Sequence, residues 1–504
     1  MRLNAVPSGA NLSAPKEEFQ SSGVAGRTSI TRRSLLIRLG CSSADVGAQL
    51  LLPRTLRAEL QPELTSKRPP PQERRFRSDA VEAFIASTSG KIGDKEVAAI
   101  FRICFPNTLD TTIEADVFEG KPDTVVVTGD IPAMWLRDSS AQVWPYLALA
   151  NQDPRLRKLL EGVIRRQTRC LLIDVYANSF MADLSAPPLE WSRKDLTEMK
   201  QGVGERKYEL DSLCFPIRLS HRYWKNTGDT SPFDSAWKQA MTIVLETMRI
   251  EQQKSGPGPY RFQRQAFDPT DSLVNGLGNP LNPVGLIASA FRPSDDACIL
   301  PFLVPSNLFA VTSLRQLAAM SSAILQDPVM ACKATDLANE VEVALRRYAT
   351  TPTNSGSIWA YEVDGFGNQI QMDDANVPSL LSLPYLESSS DAALYARTRK
   401  FVWSRNNPWF FKGKAGEGIG GPHIGRDSVW PMSQILYALT STSPVEISHS
   451  IRLLRESSAG TGFIHESYNM NDPSKFTRKW FGWANSLFGE LIAKIAHSSP
   501  ELLR

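Results

Sequence analysis

Two carboxyl groups of the chain stand in unlike surroundings. Asp211 lies in an apolar run, between Tyr208-Glu209-Leu210 and Ser212-Leu213-Cys214, whereas Glu466 follows two glycines and His465 in a polar, loop-like segment. If burial desolvates Asp211, its neutral form is favoured and its pKa rises, as a proton donor requires. A loop carboxylate such as Glu466 can hold and activate a water molecule. Together the two acids have the chemistry needed to hydrolyse a glycosidic bond.

Both acids also have plainer interpretations. Asp211 could serve only as the N-cap of the helix that follows it, because Asp side chains accept hydrogen bonds from the free N–H groups of a first helical turn. Glu466 could be a solvated surface residue. Other carboxyl groups compete for either role, namely Asp130, Asp138, Asp295, Asp296, Asp373, Asp374 and Glu417.

A near-repeat adds candidate sugar-binding residues. Arg137-Asp138-Ser139 and Arg426-Asp427-Ser428 place a guanidinium beside a carboxylate, which together can donate to and accept from neighbouring hydroxyls. Tryptophans lie close to these and related segments and offer flat apolar faces for a sugar ring, although tryptophan is also a common core residue. They are Trp135, Trp430, Trp480 and Trp483.

The elements that must position these residues recur along the chain. Six times an acidic or amide residue heads an apolar, helix-like run, because Asp, Asn and Ser satisfy the free N–H groups of a first turn. The heads lie roughly 50 to 85 residues apart, enough for an inner helix, an outer helix and loops. They are residues 135–140, 208–213, 293–298, 372–376, 425–430 and 483–487. The spacing predicts an all-α fold, an (α/α)6 toroid or barrel with small β-hairpins and long loops at the active-site mouth.

Hydrophobic periodicity locates the other elements. The Gly-, Pro- and Asn-rich stretch 254–285 predicts a long loop that shapes the cleft. Short β-like runs occur at 124–128 and 357–361. Helical patterns occur at 80–105, 139–175, 213–225, 234–253, 306–325, 332–350, 376–403, 430–440 and 446–456.

Composition excludes several classes of protein. The chain has 504 residues, 42% of them hydrophobic, and no uninterrupted apolar stretch reaches the ~18 residues that span a membrane. Residues 1–77 hold 13 Lys and Arg against 6 Asp and Glu, so the formal charge of +3 leaves about −4 on the remainder. A mildly acidic main domain gives no electrostatic reason to bind nucleic acid.

Cysteines and histidines give no metal or redox signature. The six cysteines, at 41, 104, 170, 214, 298 and 332, form no Cys-x-x-Cys pair, and most lie in apolar stretches, which favours buried free thiols over disulfides. The histidines at 221, 423, 449, 465 and 497 are scattered and lack the spacing of a zinc site. The sequence therefore predicts no metal site.

The N-terminal region is interpreted separately from the fold. Thr31-Arg32-Arg33-Ser34-Leu35-Leu36 resembles the twin-arginine export signal of bacteria. We therefore expect a leader over 1–58, a disordered Pro- and Arg-rich linker over 59–79 and a catalytic domain over 80–500. The signal would place the protein in the periplasm or outside the cell. A basic leader without an export role would leave it in the cytoplasm.

Several long motifs together resemble one known family, glycoside hydrolase family 125. They are Thr128-Gly129-Asp130-Ile131-Pro132-Ala133-Met134-Trp135-Leu136-Arg137-Asp138-Ser139, Tyr208-Glu209-Leu210-Asp211-Ser212, His423-Ile424-Gly425-Arg426-Asp427-Ser428, His465-Glu466-Ser467 and Phe476-Thr477-Arg478-Lys479-Trp480-Phe481-Gly482-Trp483-Ala484-Asn485-Ser486. The resemblance covers about residues 80–493. It implies an (α/α)6 barrel and exo-acting α-1,6-mannosidase activity with inversion of configuration. It also implies Asp211 as general acid, Glu466 as general base, and neither an organic cofactor nor a catalytic metal.

The expected substrate is thus a mannose-containing oligosaccharide or glycan. The residues expected to bind it are Trp135, Arg137, Asp138, His423, Arg426, Asp427, His465, Trp483 and Asn485. Two alternatives remain. One is another (α/α)6 carbohydrate enzyme, with a different sugar specificity or an epimerase activity, although an epimerase would be better served by paired histidines. The other is a catalytically inactive glycan-binding protein, which would not need both Asp211 and Glu466.

Overall fold

The computed structural model describes residues 67–265, 269–388 and 391–504, and helices dominate this part of the chain. The twin-arginine-like segment and the predicted leader lie outside the described residues. The α-helices are α1 (Asp79–Ser89), α2 (Lys95–Cys104), α3 (Asn107–Thr111), α4 (Leu136–Val143), α5 (Pro154–Ile173), α6 (Leu210–Thr227), α7 (Ser235–Ile250), α8 (Val304–Ala323), α9 (Pro328–Tyr348), α10 (Ala392–Val402), α11 (Pro431–Leu439), α12 (Pro444–Ser457) and α13 (Gly482–Ser498).

Five of these helices form the centre of the fold. Helices α4 and α11 are buried along their whole length, and α6, α8 and α13 are buried over most of theirs. They contact one another in the order α8, α6, α4, α13, α11. Helices α5, α9 and α12 pack against this layer with one face, and α8–α9 and α11–α12 are the helical hairpins expected from the sequence. Helix α7 packs against α5 and α9, and Trp237 of α7 donates from Nε1 to Ser220 of α6. The helical architecture agrees with the predicted fold class.

The central and the outer helices differ in how the N–H groups of their first turns are capped. Except for the short α3, every helix outside the central five begins with a side chain that accepts backbone N–H groups of its first turn. The capping residues are Ser78, Asp94, Asp153, Asp234, Asp327, Asp391 and Ser443. None of the five central helices has such a cap. The prediction that their acidic heads act as caps is wrong, and those carboxyl groups remain available for other contacts.

Two of the six predicted heads do not begin helices. Residues 293–298 form turns, and α8 begins only at Val304. Residues 376–388 are turns rather than helix, and α10 begins at Ala392. Ser379 and Ser382 accept each other's backbone N–H groups there, and Asp373 accepts two further N–H groups. These local bonds compete with helical hydrogen bonds, which explains why the helical pattern fails over this stretch.

Fifteen short strands form six small sheets in the described part of the chain. Sheets β3-β4-β5 and β13-β14-β15 lead directly into α4 and α11. The strands are β1 (Ile113–Phe118), β2 (Lys121–Val126), β3 (Ala133–Trp135), β4 (Ser179–Met181), β5 (Val203–Glu205), β6 (Phe302–Leu303), β7 (Thr350–Thr351), β8 (Ile358–Trp359), β9 (Glu362–Val363), β10 (Gln369–Ile370), β11 (Phe410–Lys412), β12 (Glu417–Ile419), β13 (Ser428–Val429), β14 (Ser467–Asn469) and β15 (Asp472–Thr477).

The segment before α1 differs from the expected disordered linker. Arg68 donates to Asp110 and Glu82, with closest distances of 2.7 Å to each. The backbone N–H groups of Arg75 and Phe76 donate to the carbonyls of residues 110 and 109. At least residues 67–79 are therefore packed onto the helical domain, because their arginines pair with its acidic side chains.

Most of the described cysteines are buried free thiols, as expected from the sequence. They are Cys104, Cys170, Cys214 and Cys298, whereas Cys332 is free and exposed.

Among the described helices, none is both long and apolar enough to span a bilayer.

Candidate active site

Asp211 is the second residue of α6 and is fully buried. Glu209 precedes the helix in an extended conformation, and no side chain caps this helix. The Asp211 side chain accepts from Arg137 Nη1 through Oδ2, at 3.0 Å. Its other oxygen, Oδ1, is buried and has no hydrogen-bond partner among the described residues. Asp211 is therefore not an N-cap, and one of its oxygens is left for a ligand.

Arg137 is the centre of a buried cluster of charges. Four carboxyl groups approach its guanidinium: Glu209 at 2.5 Å, Asp211 at 3.0 Å, Asp138 at 3.6 Å and Asp295 at 3.8 Å. One positive charge cannot balance four negative charges in a site shielded from water. At least one of these carboxyl groups must therefore keep its proton.

Burial is the main cause of the shifted pKa values in this cluster. It raises the pKa of Asp211 to about 6, against the opposing effect of Arg137. The pKa of Glu209 is raised well above its usual range, again by burial and then by the neighbouring charges of Asp211 and Asp295. Burial also raises the pKa of Asp138. The cluster thus provides a carboxyl group that is still partly protonated near neutral pH.

Glu466 lies just before strand β14 and is only 4% exposed. Its Oε1 lies 3.5 Å from Arg478 Nη1, and its Oε2 is buried without a hydrogen-bond partner among the described residues. The side chain is therefore not a solvated surface glutamate. Like Asp211, it turns one oxygen to an arginine and leaves the other without a protein partner.

A continuous set of contacts joins the two acids. Asp138 accepts from Thr128 Oγ1 at 2.6 Å, and the backbone carbonyl of Thr128 accepts from Arg478 Nη2 at 3.3 Å. Arg478 then reaches Glu466, while Arg137 joins Asp138 to Asp211. The first and last of the motifs that resemble the family, residues 128–139 and 476–486, therefore lie next to each other in the structure.

Two further buried carboxyl oxygens, on Asp296 and Asp374, lie near His423 and Gly421. Asp296 Oδ2 and Asp374 Oδ2 have no hydrogen-bond partner among the described residues, and the two carboxylates influence each other electrostatically. His423 Nδ1 lies 3.3 Å from Asp296 Oδ1. Gly421 lies so close to Asp374 that a Cβ atom on this glycine would stand 2.8 Å from Oδ2. Ionised carboxylates only accept hydrogen bonds, so this arrangement is suited to a ligand rich in hydroxyl groups.

Aromatic rings connect these groups. The Trp483 ring lies 5.8 Å from the Arg137 guanidinium and packs edge-on against Phe481. Phe481 in turn packs against Trp430, whose ring lies 6.4 Å from His423. Trp430 Nε1 is buried and lacks a partner among the described residues, which makes it an available donor. The structure thus brings Arg137, Asp138, Asp211, His423 and Trp483 into one region.

Three other predicted binding residues have structural contacts. Trp135 packs in a small apolar cluster with Ala133, Met181 and Leu189. The Asn485 side chain accepts from the Ile464 N–H at 3.0 Å and donates to the Phe481 carbonyl at 3.0 Å. His465 Nε2 lies 2.8 Å from Thr461 Oγ1, and burial lowers the pKa of His465 to about 3. Asn485 and His465 therefore hold the loop that carries Glu466.

The near-repeat of arginine and aspartate does not produce equivalent structures. Arg137 and Asp138 are buried in the first turn of α4. Arg426 and Asp427 are exposed in a turn before β13, where Asp427 has a φ of 62°. The Asp427 carbonyl accepts from the Met470 N–H at 2.8 Å, which ties the turn to the β14–β15 hairpin. Only the first copy therefore joins the buried cluster.

The sequence did not single out several residues that complete the site. Glu209 and Arg478 stand inside motifs that resemble the family, so their position in the sequence is a usable signal. Asn178 carried no signal. Its Nδ2 lies 3.3 Å from Glu205 Oε2 and 3.4 Å from Glu209 Oε1. Asp296 and Asp374 were named only as competing acids.

The carboxyl groups do not form a metal site. Within the ranges that the structure describes, no three His, Cys, Asp or Glu side chains are grouped so that they could hold a metal ion. The acids around residue 137 converge instead on its guanidinium.

Comparison with known proteins identifies the family of the chain. The family described as metal-independent alpha-mannosidase (GH125) matches residues 94–493. The chain is 40% identical over 468 residues to the meiotically up-regulated gene 157 protein of Schizosaccharomyces pombe, with 88% of this chain and 90% of that protein covered.

Two solved structures resemble the chain to different degrees. A Streptococcus pneumoniae protein, described among metal-independent alpha mannosidases and solved as a non-productive complex with alpha-1,6-mannobiose, is 38% identical to this chain. The match covers 84% of this chain and 100% of that one, with a TM-score of 0.80. A glycosidase solved with glucose, 11% identical with a TM-score of 0.50 over 82% of this chain and 100% of its own, shares the fold alone.

Proposed function

The chain belongs to the metal-independent α-mannosidase family GH125, and on this premise we propose that it removes terminal α-1,6-linked mannose with inversion, using Asp211 as general acid and Glu466 as general base. That it is a glycoside hydrolase follows from the family. The observation that carries the finer proposal is a pair of buried oxygens, Asp211 Oδ1 and Glu466 Oε2, that have no hydrogen-bond partner in the part of the chain that the structure describes. Each belongs to a carboxyl group whose other oxygen faces an arginine.

Asp211 has the properties of the proton donor. Its raised pKa, about 6, keeps a proton available at mildly acidic pH. Delivery of this proton to the glycosidic oxygen lets the leaving sugar depart as a neutral alcohol. The carboxylate that remains is stabilised by Arg137, 3.0 Å away, which lowers the cost of leaving a negative charge in a buried site.

Glu466 has the properties of the base. In an inverting glycosidase the base removes a proton from a water molecule that attacks the anomeric carbon from the face opposite the leaving group. The bond from this carbon to the glycosidic oxygen breaks while the bond to the water oxygen forms, so an α-mannoside yields β-mannose. Glu466 Oε2 accepts the water proton, and Oε1 stays directed at Arg478.

The remaining polar groups support recognition of a sugar. Asp296 Oδ2 and Asp374 Oδ2, which have no partner among the residues that the structure describes, are suited to accept hydrogen bonds from hydroxyl groups. Trp430 Nε1 is suited to donate one. The α-1,6 linkage is supported by the mannobiose in the complex of the bacterial relative. Exo action is supported by the family resemblance of the motifs around Arg137 and Asp211.

Hydrolysis of defined disaccharides tests the proposal. The purified protein should release mannose from α-1,6-mannobiose faster than from the α-1,2 and α-1,3 isomers. NMR spectra recorded before mutarotation should show β-mannose first. Early α-mannose would contradict inversion, and a preference for another isomer would contradict the linkage. Binding of mannobiose without any turnover would instead support an inactive glycan-binding protein.

A further inference from the structure

Arg478 connects the candidate base to a second acidic residue. Its Nε and Nη2 lie 2.9 and 2.5 Å from Asp130 Oδ1, whereas its Nη1 lies 3.5 Å from Glu466 Oε1. The guanidinium also donates to the Thr128 carbonyl and lies 4.7 Å from the Phe481 ring. Arg478 is 8% exposed, whereas the side chain of Asp130 is 36% exposed, so the arginine links the buried Glu466 to an acid at the surface.

The candidate acid has a comparable arrangement. Arg137 Nη1 contacts Glu209 at 2.5 Å and Asp211 at 3.0 Å. In both places an arginine makes its shorter contact to a companion acid, Glu209 or Asp130, and its longer contact to the proposed catalytic carboxyl group, Asp211 or Glu466. The companion keeps each guanidinium in place when the catalytic carboxyl group gains or loses a proton.

The backbone conformations at Gly129 and Arg478 place Arg478 beside Asp130. Gly129 has a φ of 118° and forms a β-bridge with Phe481. A Cβ atom on Gly129 would stand 2.7 Å from the Trp480 carbonyl oxygen, so only glycine allows this approach. Arg478 itself has a positive φ of 36°, an uncommon conformation for a residue with a side chain. The two loops thus meet in the geometry that places Asp130 against Arg478.

We propose that Arg478, held by Asp130, is a positioning residue that orients Glu466 for water activation. By engaging Oε1, the guanidinium leaves Oε2 to accept the proton of the attacking water. The 3.5 Å separation keeps this contact looser than the contact to Asp130, so the carboxylate remains able to act as a base. This inference rests on the proposed function, because it assigns Arg478 a role only if Glu466 is the base.

The test compares kinetics of the full-length Arg478→Met variant on α-1,6-mannobiose and on an aryl α-mannoside with an acidic phenol. Loss of base alignment should lower kcat by at least about tenfold on both substrates, with KM changed by less than about twofold. Arg478→Lys should recover part of kcat. Azide attacks the anomeric carbon without needing a base, so it should speed both Arg478→Met and Glu466→Ala and yield a β-mannosyl azide.

Controls separate positioning from stability and from failure of the premise. Arg455→Met removes another arginine that is paired with an aspartate, Asp94 at 2.6 Å, and should leave kcat unchanged. If Arg478→Met had a normal kcat while Glu466→Gln was inactive, the positioning role of Arg478 would be wrong and the proposed function would stand. A raised KM without azide rescue would also overturn the positioning role. A fully active Glu466→Gln enzyme would overturn the proposed function itself.

Discussion

Arg137 Nη1 lies 3.0 Å from Asp211 Oδ2, and both groups are almost completely shielded from solvent. This contact lowers the pKa of Asp211, but burial raises it more strongly, to about 6. The balance matters because an acid catalyst must hold its proton in the resting enzyme and release it during the reaction. With Asp211 as the proposed acid, we expect this contact to influence both the pH dependence of the activity and the stability of the fold.

We expect kcat/KM for α-1,6-mannobiose to fall as the pH rises through about 6, because Asp211 loses the proton that it must donate. Asp211→Asn should be nearly inactive on this substrate. It should be much less impaired on an aryl mannoside whose phenol is acidic enough to leave without a proton. Steady-state rates from pH 4 to 8 check both outcomes. Equal impairment on the two substrates would remove Asp211 as the acid.

Asp211 should also make stability depend on pH. Its folded pKa is raised, so the folded state favours the neutral carboxyl group. The penalty is absent below the unfolded pKa, near 4, and is complete above about 6. Asp211→Asn removes this penalty and should raise the free energy of unfolding by ~3 kcal/mol at pH 8, but not at pH 4. Urea unfolding at both pH values measures the difference, and an equal effect at both would contradict the assigned cause.

Arg137 should be needed for stability as well as activity. The sequence alone suggested a sugar-binding arginine, but the side chain is buried among four acids. Arg137→Met should cost ~3–5 kcal/mol at pH 8, because it leaves buried carboxylates without their counter-charge. The loss should shrink at pH 5, where these groups can take up protons.

Arg426→Met is the matched control for this variant, because Arg426 occupies the same place in the repeated Arg-Asp-Ser sequence but is exposed. Its unfolding free energy should stay within about 0.5 kcal/mol of the parent. Similar losses for the two variants would show that the buried cluster does not depend on Arg137.

These two arginines illustrate how far the sequence could predict the site. Apolar neighbours correctly suggested that Asp211 is buried, because they belong to the same helix. Identical tripeptides could not reveal that Arg137 lies in a helical turn and Arg426 in a turn with positive φ, since strand pairing with the distant β14 sets the second conformation. The burial of Glu466 was equally hidden, because it depends on tertiary contacts. Arg478 contacts the Glu466 side chain, and Asn485 holds the backbone of Ile464, two residues earlier.

Asn485 should affect catalysis through the loop that carries Glu466. Its side-chain oxygen holds the Ile464 N–H, two residues before Glu466. Asn485→Ala leaves this buried donor unpaired and should cost ~1–3 kcal/mol of stability. We also expect kcat to fall while KM changes little, because the base rather than the sugar is displaced.

Asn307→Ala separates the two effects of the Asn485 substitution. The Asn307 side chain holds the backbone N–H and carbonyl of Ile287, at 2.8 and 2.9 Å, in a comparable buried arrangement. This variant should lose similar stability and keep its kcat. If both variants lost the same fraction of kcat, general loosening of the fold would explain the result better than the position of Glu466.

Gly421 should limit the space beside Asp374. A methyl group at this position would stand 2.8 Å from Asp374 Oδ2, the oxygen that has no partner among the described residues. The carboxylate end can move aside, so Gly421→Ala should change the melting temperature little. The movement should nevertheless misplace an acceptor for a sugar hydroxyl and lower kcat/KM for mannobiose by about tenfold, the effect of losing one good hydrogen bond.

Gly90→Ala, where the new Cβ atom would meet only ordinary contacts at 3.6 and 3.7 Å, is the matched control and should be fully active. A Gly421→Ala enzyme with unchanged kcat/KM would show that Asp374 does not contact the substrate, whereas a large loss of stability would show that its carboxylate cannot move.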